Sequence, residues 1–120
     1  MSFGYVRRRL PRALLTLSGR SGPVEIEFVI DTGFDGELAL PSEMARQLDI
    51  SAQGHKSLAL ADGSLIVSPF VTAASVWDEE PRATEVLVLD GNPLLGVVLL
   101  QEFLLQAEMQ EGGEVLLEPL

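Results

Sequence analysis

Hydrophobic residues recur along the chain in short bursts, and most bursts alternate with polar positions instead of following a helical spacing. In Val24-Glu25-Ile26-Glu27-Phe28, apolar and acidic residues take turns, which predicts a strand with one wet and one dry face. Phe28-Val29-Ile30 continues it as a fully apolar run entering a core. Residues 13–18 form a second apolar strand, and Gly19-Arg20-Ser21-Gly22 between the two reads as a hairpin turn. Downstream, two apolar runs flank Ala61-Asp62-Gly63-Ser64, a hairpin with a tight Asp-Gly tip. Two further strands lie around Asp78-Glu79-Glu80-Pro81, and residues 104–120 form a closing hairpin with Gly112-Gly113 at its turn.

Two segments carry helical signals. Residues 41–49 predict a short helix capped by Ser42, with Met44, Ala45 and Leu48 on one apolar side and Asp49-Ile50-Ser51 as its end. The stretch from Asn92 to Phe103 reads as an apolar strand end and a glycine, then a short amphipathic helix. The expectation is an all-β domain of about seven to nine short strands with one or two short helices. No linker divides it.

The chain has 120 residues, enough for one domain and a modest core. Its apolar stretches fall well short of the roughly 20 residues of a membrane helix. The first 20 residues do not read as a secretory signal, and a cytoplasmic location is expected. Without cysteine there can be no disulfide, thiolate nucleophile or thiolate metal site. The net charge of −10 is unevenly spread. Arg7, Arg8, Arg9, Arg12 and Arg20 precede the first acid, Glu25; the last 100 residues carry all 18 acids and the other three bases, a balance of −15. Nucleic-acid binding through a broad basic face is therefore not expected. Residues 1–12 are expected as a solvated basic arm, and residues 13–120 as the domain.

The candidate chemistry sits in Val29-Ile30-Asp31-Thr32-Gly33-Phe34-Asp35-Gly36. A strand holds Asp31 rigidly, Gly33 lets the backbone pass close to the carboxylate and offer its N–H, and Thr32 supplies a hydroxyl. A calcium loop would need ligands where Gly33 and Ser42 stand, so no metal site is expected. A plain turn is the bland alternative, since Asp and Gly both populate turns. About sixty residues later, Pro93-Leu94-Leu95-Gly96 offers two apolar residues and a glycine able to cross beneath that loop. The Asp62-Gly63 hairpin tip, between the two, is suited to closing over a ligand.

In this order, Asp-Thr-Gly, glycine-tipped hairpin and Leu-Leu-Gly resemble the retropepsin-like aspartic proteases, closest to the small single-domain bacterial and archaeal members. The resemblance runs from about Ala13 to Leu117. It implies a closed-barrel, acid-protease half-fold. Asp31 would be the catalytic aspartate, Thr32 would lock the active-site loops together, and Gly33 would shape the loop. Asp35 would bind substrate backbone and pair with an arginine at a dimer interface. Gly36 would lie beside it, Asp62 and Gly63 on the flap, with Leu94, Leu95 and Gly96 as the supporting motif. Phe34 departs from the pattern, standing where relatives usually have Ala or Ser. Its bulk is expected to narrow the cleft or alter the hydrogen bonds nearest the carboxylate.

That chemistry needs two carboxylates, one taking a proton from water while the other polarises the scissile carbonyl. The chain supplies one Asp-Thr-Gly. The implied enzyme is a homodimer on a two-fold axis, cleaving peptide bonds without a metal or organic cofactor. The C-terminal hairpin, or Arg7, Arg8 or Arg9 reaching Asp35, would form its interface. The alternative is the same fold kept as a catalytically inactive dimerisation or peptide-binding module. His55 reads as an exposed loop residue, Trp77 and Phe70 as core or interface, and Glu79 and Glu80 as a solvated turn. One histidine and no nucleophile elbow leave no Ser-His-Asp set.

Overall fold

Alternation makes strands only where partners exist, and here nearly every apolar burst finds one. The structure is a computed structural model. It describes every residue but Met1, Ala61, Asp78 and Glu79, together with the side chain of Trp77. The expectations for Ala61, Asp78 and Glu79 and for the Trp77 side chain therefore lie outside the described residues. In chain order the elements are β1 (Ser2–Arg7), β2 (Leu10–Gly19), β3 (Gly22–Asp31), β4 (Leu38–Leu40), α1 (Ser42–Gln47), β5 (Gly54–Ala59), β6 (Leu65–Trp77), β7 (Glu80–Val88), β8 (Leu94–Gly96), β9 (Phe103–Ala107) and β10 (Glu114–Pro119).

The sheet runs β5-β6-β7-β4-β8-β3-β2-β1-β10-β9, and β6 also pairs with β2. That extra pairing closes β2, β3, β8, β4, β7 and β6 into a six-stranded barrel. Strand β2 makes closure possible by splitting one edge. Its first residues, Leu10 to Ala13, pair with β1, and Thr16 to Ser18 pair with β6. Its other edge pairs with β3 from Arg12 to Gly19, turning through Arg20-Ser21 as the sequence predicts.

Inward-facing residues of these strands fill the barrel. Leu15, Leu17, Ile26, Phe28, Ile30, Leu38, Leu40, Val71, Val86 and Leu95 belong to one buried core. Strand β4 has no wet face, because Leu38 and Leu40 pack into this core while Ala39, on the opposite face, packs into a smaller one. A second, smaller core gathers Phe34, Ala39 and Leu87, with Leu58, Phe70, Leu89 and Leu94 packed against it. Phe70 thus joins the core side of the expectation stated for it. Between β6 and β7, the buried Ser75 and Thr84 hydroxyls bond to each other.

Four expectations are corrected. Ser42 does not cap α1; it is the first helical residue, Pro41 holds the cap position, and no side chain bonds there. Proline at that boundary leaves the helix start set by the extended backbone of Pro41 instead of by a hydroxyl. The predicted helix after Gly96 is absent: residues 97–102 form successive turns. The N–H groups of Gln101 and Phe103 reach back only three residues, to the carbonyls of Val98 and Leu100, and Glu102 at a φ of 71° turns the chain into β9, while the N–H groups of Val97 and Val98 donate to the carbonyls of Phe34 and Gly36, at 2.9 and 3.1 Å. Residues 2–12 are not a solvated arm. They form β1 and the start of β2, and Arg12 is buried. His55 is exposed as expected, but on strand β5 instead of in a loop.

Candidate active site

Strand β3 ends on Asp31, and its last three residues lie parallel to β8, Val29 opposite Leu94, Ile30 opposite Leu95 and Asp31 opposite Gly96. The sequence-predicted Asp-Thr-Gly and Leu-Leu-Gly motifs are therefore neighbours, sixty residues apart in the chain and side by side in the sheet. Asp31 is half-buried, and its Oδ1 accepts the Gly33 N–H at 2.9 Å. The Phe34 N–H donates to the Asp31 carbonyl at 3.1 Å, closing the turn that carries Thr32 and Gly33. Both of those residues are exposed, and among the described residues the Thr32 hydroxyl has no partner within the chain.

The loop is clamped from below. Gly96 donates its N–H to the Glu37 carbonyl at 2.8 Å, next to the Val97 and Val98 bonds already described. Gly96 must be glycine for reasons of space: a Cβ there would lie 2.2 Å from the Gly36 carbonyl oxygen and 2.7 Å from that of Phe34. Leu95 is buried in the main core, and Leu94 packs on the smaller one. Phe34 is 6% exposed, its ring turned into that smaller core and against Gly36. The bulk expected to narrow the cleft is accommodated inside the fold.

Asp35 is exposed and Gly36 half-buried on the outer side of the loop. They line a cavity of about 270 Å³ with Glu37, Lys56, Ser57, Leu58, Glu85, Leu87 and Val98. The cavity therefore joins the Asp31 loop to β5, the first strand of the predicted flap. Lys56 forms an ion pair with Glu85 and lies 5.4 Å from the centre of the Phe70 ring. Glu37 Oε2 accepts the Glu85 N–H at 3.2 Å. Sequence reasoning missed Glu37, Lys56 and Glu85. Only the spacing of Lys56 and Leu58, two apart and so on one face of a strand, hinted at part of this wall. A wider groove of about 720 Å³ lies along β9 and β10 and contains none of the predicted site residues.

The hairpin of β5 and the first half of β6 carries Asp62 and Gly63 at its tip, and its Leu58 and Phe70 pack on the smaller core. Gly63 has a φ of 87°, a conformation that favours glycine. Asp62 Oδ1 accepts bonds from the Ser64 hydroxyl, at 2.6 Å, and the Ser64 N–H, at 2.9 Å. The Ser64 hydroxyl, followed by its N–H, holds the Asp62 carboxyl below its ordinary range. Leu65 and Val67 are the most exposed apolar residues of the hairpin, about two-thirds open to solvent or more.

Of the arginines expected to reach Asp35 across an interface, Arg7 has a partner within its own chain. Arg7 and Arg12 both pair with Glu27 of the same chain, and Tyr5 donates its hydroxyl to that carboxylate. Arg8 and Arg9, both with positive φ, form the turn between β1 and β2. Arg7 and Tyr5, in that order of effect, hold the Glu27 carboxyl at about 2, and the bond to Glu27 raises the Tyr5 hydroxyl. Among the described residues no group of three His, Asp or Glu side chains could hold a metal ion. No helix among them is long and apolar enough to cross a membrane.

No family model matches the chain, and no curated protein sequence does. A solved structure does: the retropepsin-like aspartic protease from Rickettsia conorii, at a TM-score of 0.55 and 21% sequence identity, over 98% of this chain and 93% of that one. The chain thus has the all-β, retropepsin-like fold that its motifs imply.

Proposed function

We propose that the protein is a homodimeric aspartic endopeptidase in which Asp31 from each of two chains forms one catalytic pair. The observation that carries this reading is the clamped Asp31 loop: a carboxylate at a strand end, opposite Gly96, with the loop behind it bonded to residues 96–98. A group held this firmly is suited to sharing a proton with a twin. One Asp31 would activate the attacking water, and the other, protonated, would polarise the scissile carbonyl. Two carboxylates about 3 Å apart do not both ionise readily, so the pair would titrate as a unit. Exposed Thr32 hydroxyls without an intrachain partner suit an interface, where each could bond to the other chain's loop. The β5–β6 hairpin would close over an extended peptide. The solved relative's description as a protease supports the same reading.

The test is the mass in solution together with a peptide-library cleavage assay from pH 3 to 7, with Asp31→Asn as control. A dimer whose cleavage vanishes in the variant, and whose rate falls at both ends of the range, is expected. A strict monomer, or cleavage indifferent to Asp31→Asn, contradicts the proposal. An inert, stable dimer would point instead to a binding module.

A further inference from the structure

The cavity beside the Asp31 loop has two kinds of wall. Leu58, Leu87 and Val98 make apolar surface, while Asp35, Glu37, Glu85 and Lys56 bring charge to it. The charges are not balanced. Lys56 is held by Glu85 and rests over the Phe70 ring, so its ammonium neutralises that one carboxylate. Glu37 uses Oε2 on the Glu85 N–H, and Asp35 has no intrachain partner among the described residues. Within the chain two carboxylates therefore remain without a counter-charge around an apolar hollow, in a chain already at −10. At about 270 Å³ the hollow is at the small end of ligand pockets, the size for one long side chain instead of a whole small molecule.

We propose that this cavity is a substrate subsite selecting a lysine or arginine side chain, with the aliphatic stem on Leu58, Leu87 and Val98 and the cationic end between Asp35 and Glu37. The match is of shape as well as charge, because long basic side chains lay their methylene stems on apolar surface and keep their charged ends at a polar rim. The inference rests on the peptidase reading and names its substrate class: peptides with a basic residue at one fixed position from the cleaved bond. Lys56 then acts as an attenuator. By holding Glu85 it limits the negative charge that a substrate meets.

Binding tests the subsite without requiring catalysis. Fluorescently labelled heptapeptides, identical but for one position carrying lysine, norleucine or glutamate, are titrated into the full-length Asp31→Asn protein, with the position scanned along the peptide. At one position lysine is expected to bind about tenfold tighter than norleucine, and glutamate weaker than both. Lys56→Met keeps a stem over Phe70 and frees Glu85, so it should widen the lysine preference. Glu37→Gln keeps an acceptor for the Glu85 N–H and should narrow it. Opposite responses of the two variants are not expected of residues that merely support the fold. Equal affinities at every position, or a preference for glutamate, would overturn the subsite. If the wild-type enzyme nevertheless cleaved peptides in an Asp31-dependent way, the peptidase reading would stand without it. Failure of all three peptides to bind, with no cleavage, would overturn both.

Discussion

Gly96 has no room for a side chain, and that single constraint links the two motifs. Besides the Phe34 ring, the atoms that a Cβ would meet are backbone oxygens of Phe34 and Gly36, which cannot swing away like the end of a flexible side chain. Gly96→Ala is expected to destabilise the protein by about 1–3 kcal/mol in chemical denaturation and to displace the Asp31 loop. Unchanged stability would contradict the clamp. Phe34 makes a complementary case. Removing a buried ring from the small core should cost about 3 kcal/mol for Phe34→Ala in the same measurement. A neutral Phe34→Ala would mean that the ring is not held in the core. At this scale the placing of Asp31 at a strand end, with Gly96 beneath its loop, was legible in the sequence, because an apolar run broken by a glycine-bearing turn marks the one and close packing requires the other. The burial of Phe34 was not, because an apolar residue two positions from a glycine can face a core or a cleft, and only the fold decides.

Glu27 ties three elements together. It sits on β3, faces Arg12 from β2 and is reached by Arg7 and Tyr5 from β1. Its carboxyl is depressed from 4.5 to about 2, chiefly by the Arg7 bond and then by Tyr5. A depressed carboxyl stabilises the fold fully above its unfolded value, and the contribution is lost as pH falls from about 4.5 through about 2. Glu27→Gln should therefore cost on the order of 2 kcal/mol at pH 6, with the difference from wild type shrinking over that window. Urea unfolding at several pH values would show this, and a pH-independent difference would contradict it. The network would thus keep β1 in place through most of the acid range.

Alternation placed Glu27 on a wet face and the early arginines on a solvated arm. Neither reading could see that β1 folds back to pair with β2 and β10. The false helix after Gly96 has the same origin. Its spacing was amphipathic, but the chain turns into β9 at Glu102, whose φ of 71° leaves the helical region, before a helix can lengthen. At α1 the error was smaller, a cap assigned one residue late. Ser42→Ala should change thermal stability by less than about 0.5 kcal/mol, whereas a true capping hydroxyl would cost about 1.

The described molecule is a six-stranded barrel whose sheet extends through β1-β10-β9 on one side and through β5 on the other. The hairpins were readable, since Asp-Gly and Gly-rich turns mark them, but the sheet has ten strands where seven to nine were expected, with β1 hidden in the supposed arm. Closure was implied by the resemblance and not by the hydrophobic pattern, because it depends on β2 sharing one edge between β1 and β6, and on two parallel pairings between distant segments. The catalytic proposal also belongs to this scale, since one chain carries one Asp31 and the chemistry needs two. A mixing measurement tests it most directly. Wild-type and Asp31→Asn chains are combined in equal amounts, dissociated and reassociated, and peptide cleavage is compared with the same total of wild type. If each site draws Asp31 from two chains, random pairing leaves about a quarter of the dimers with two aspartates, and activity should fall to about a quarter. Activity of about one half would mean that each chain works alone and would contradict the account.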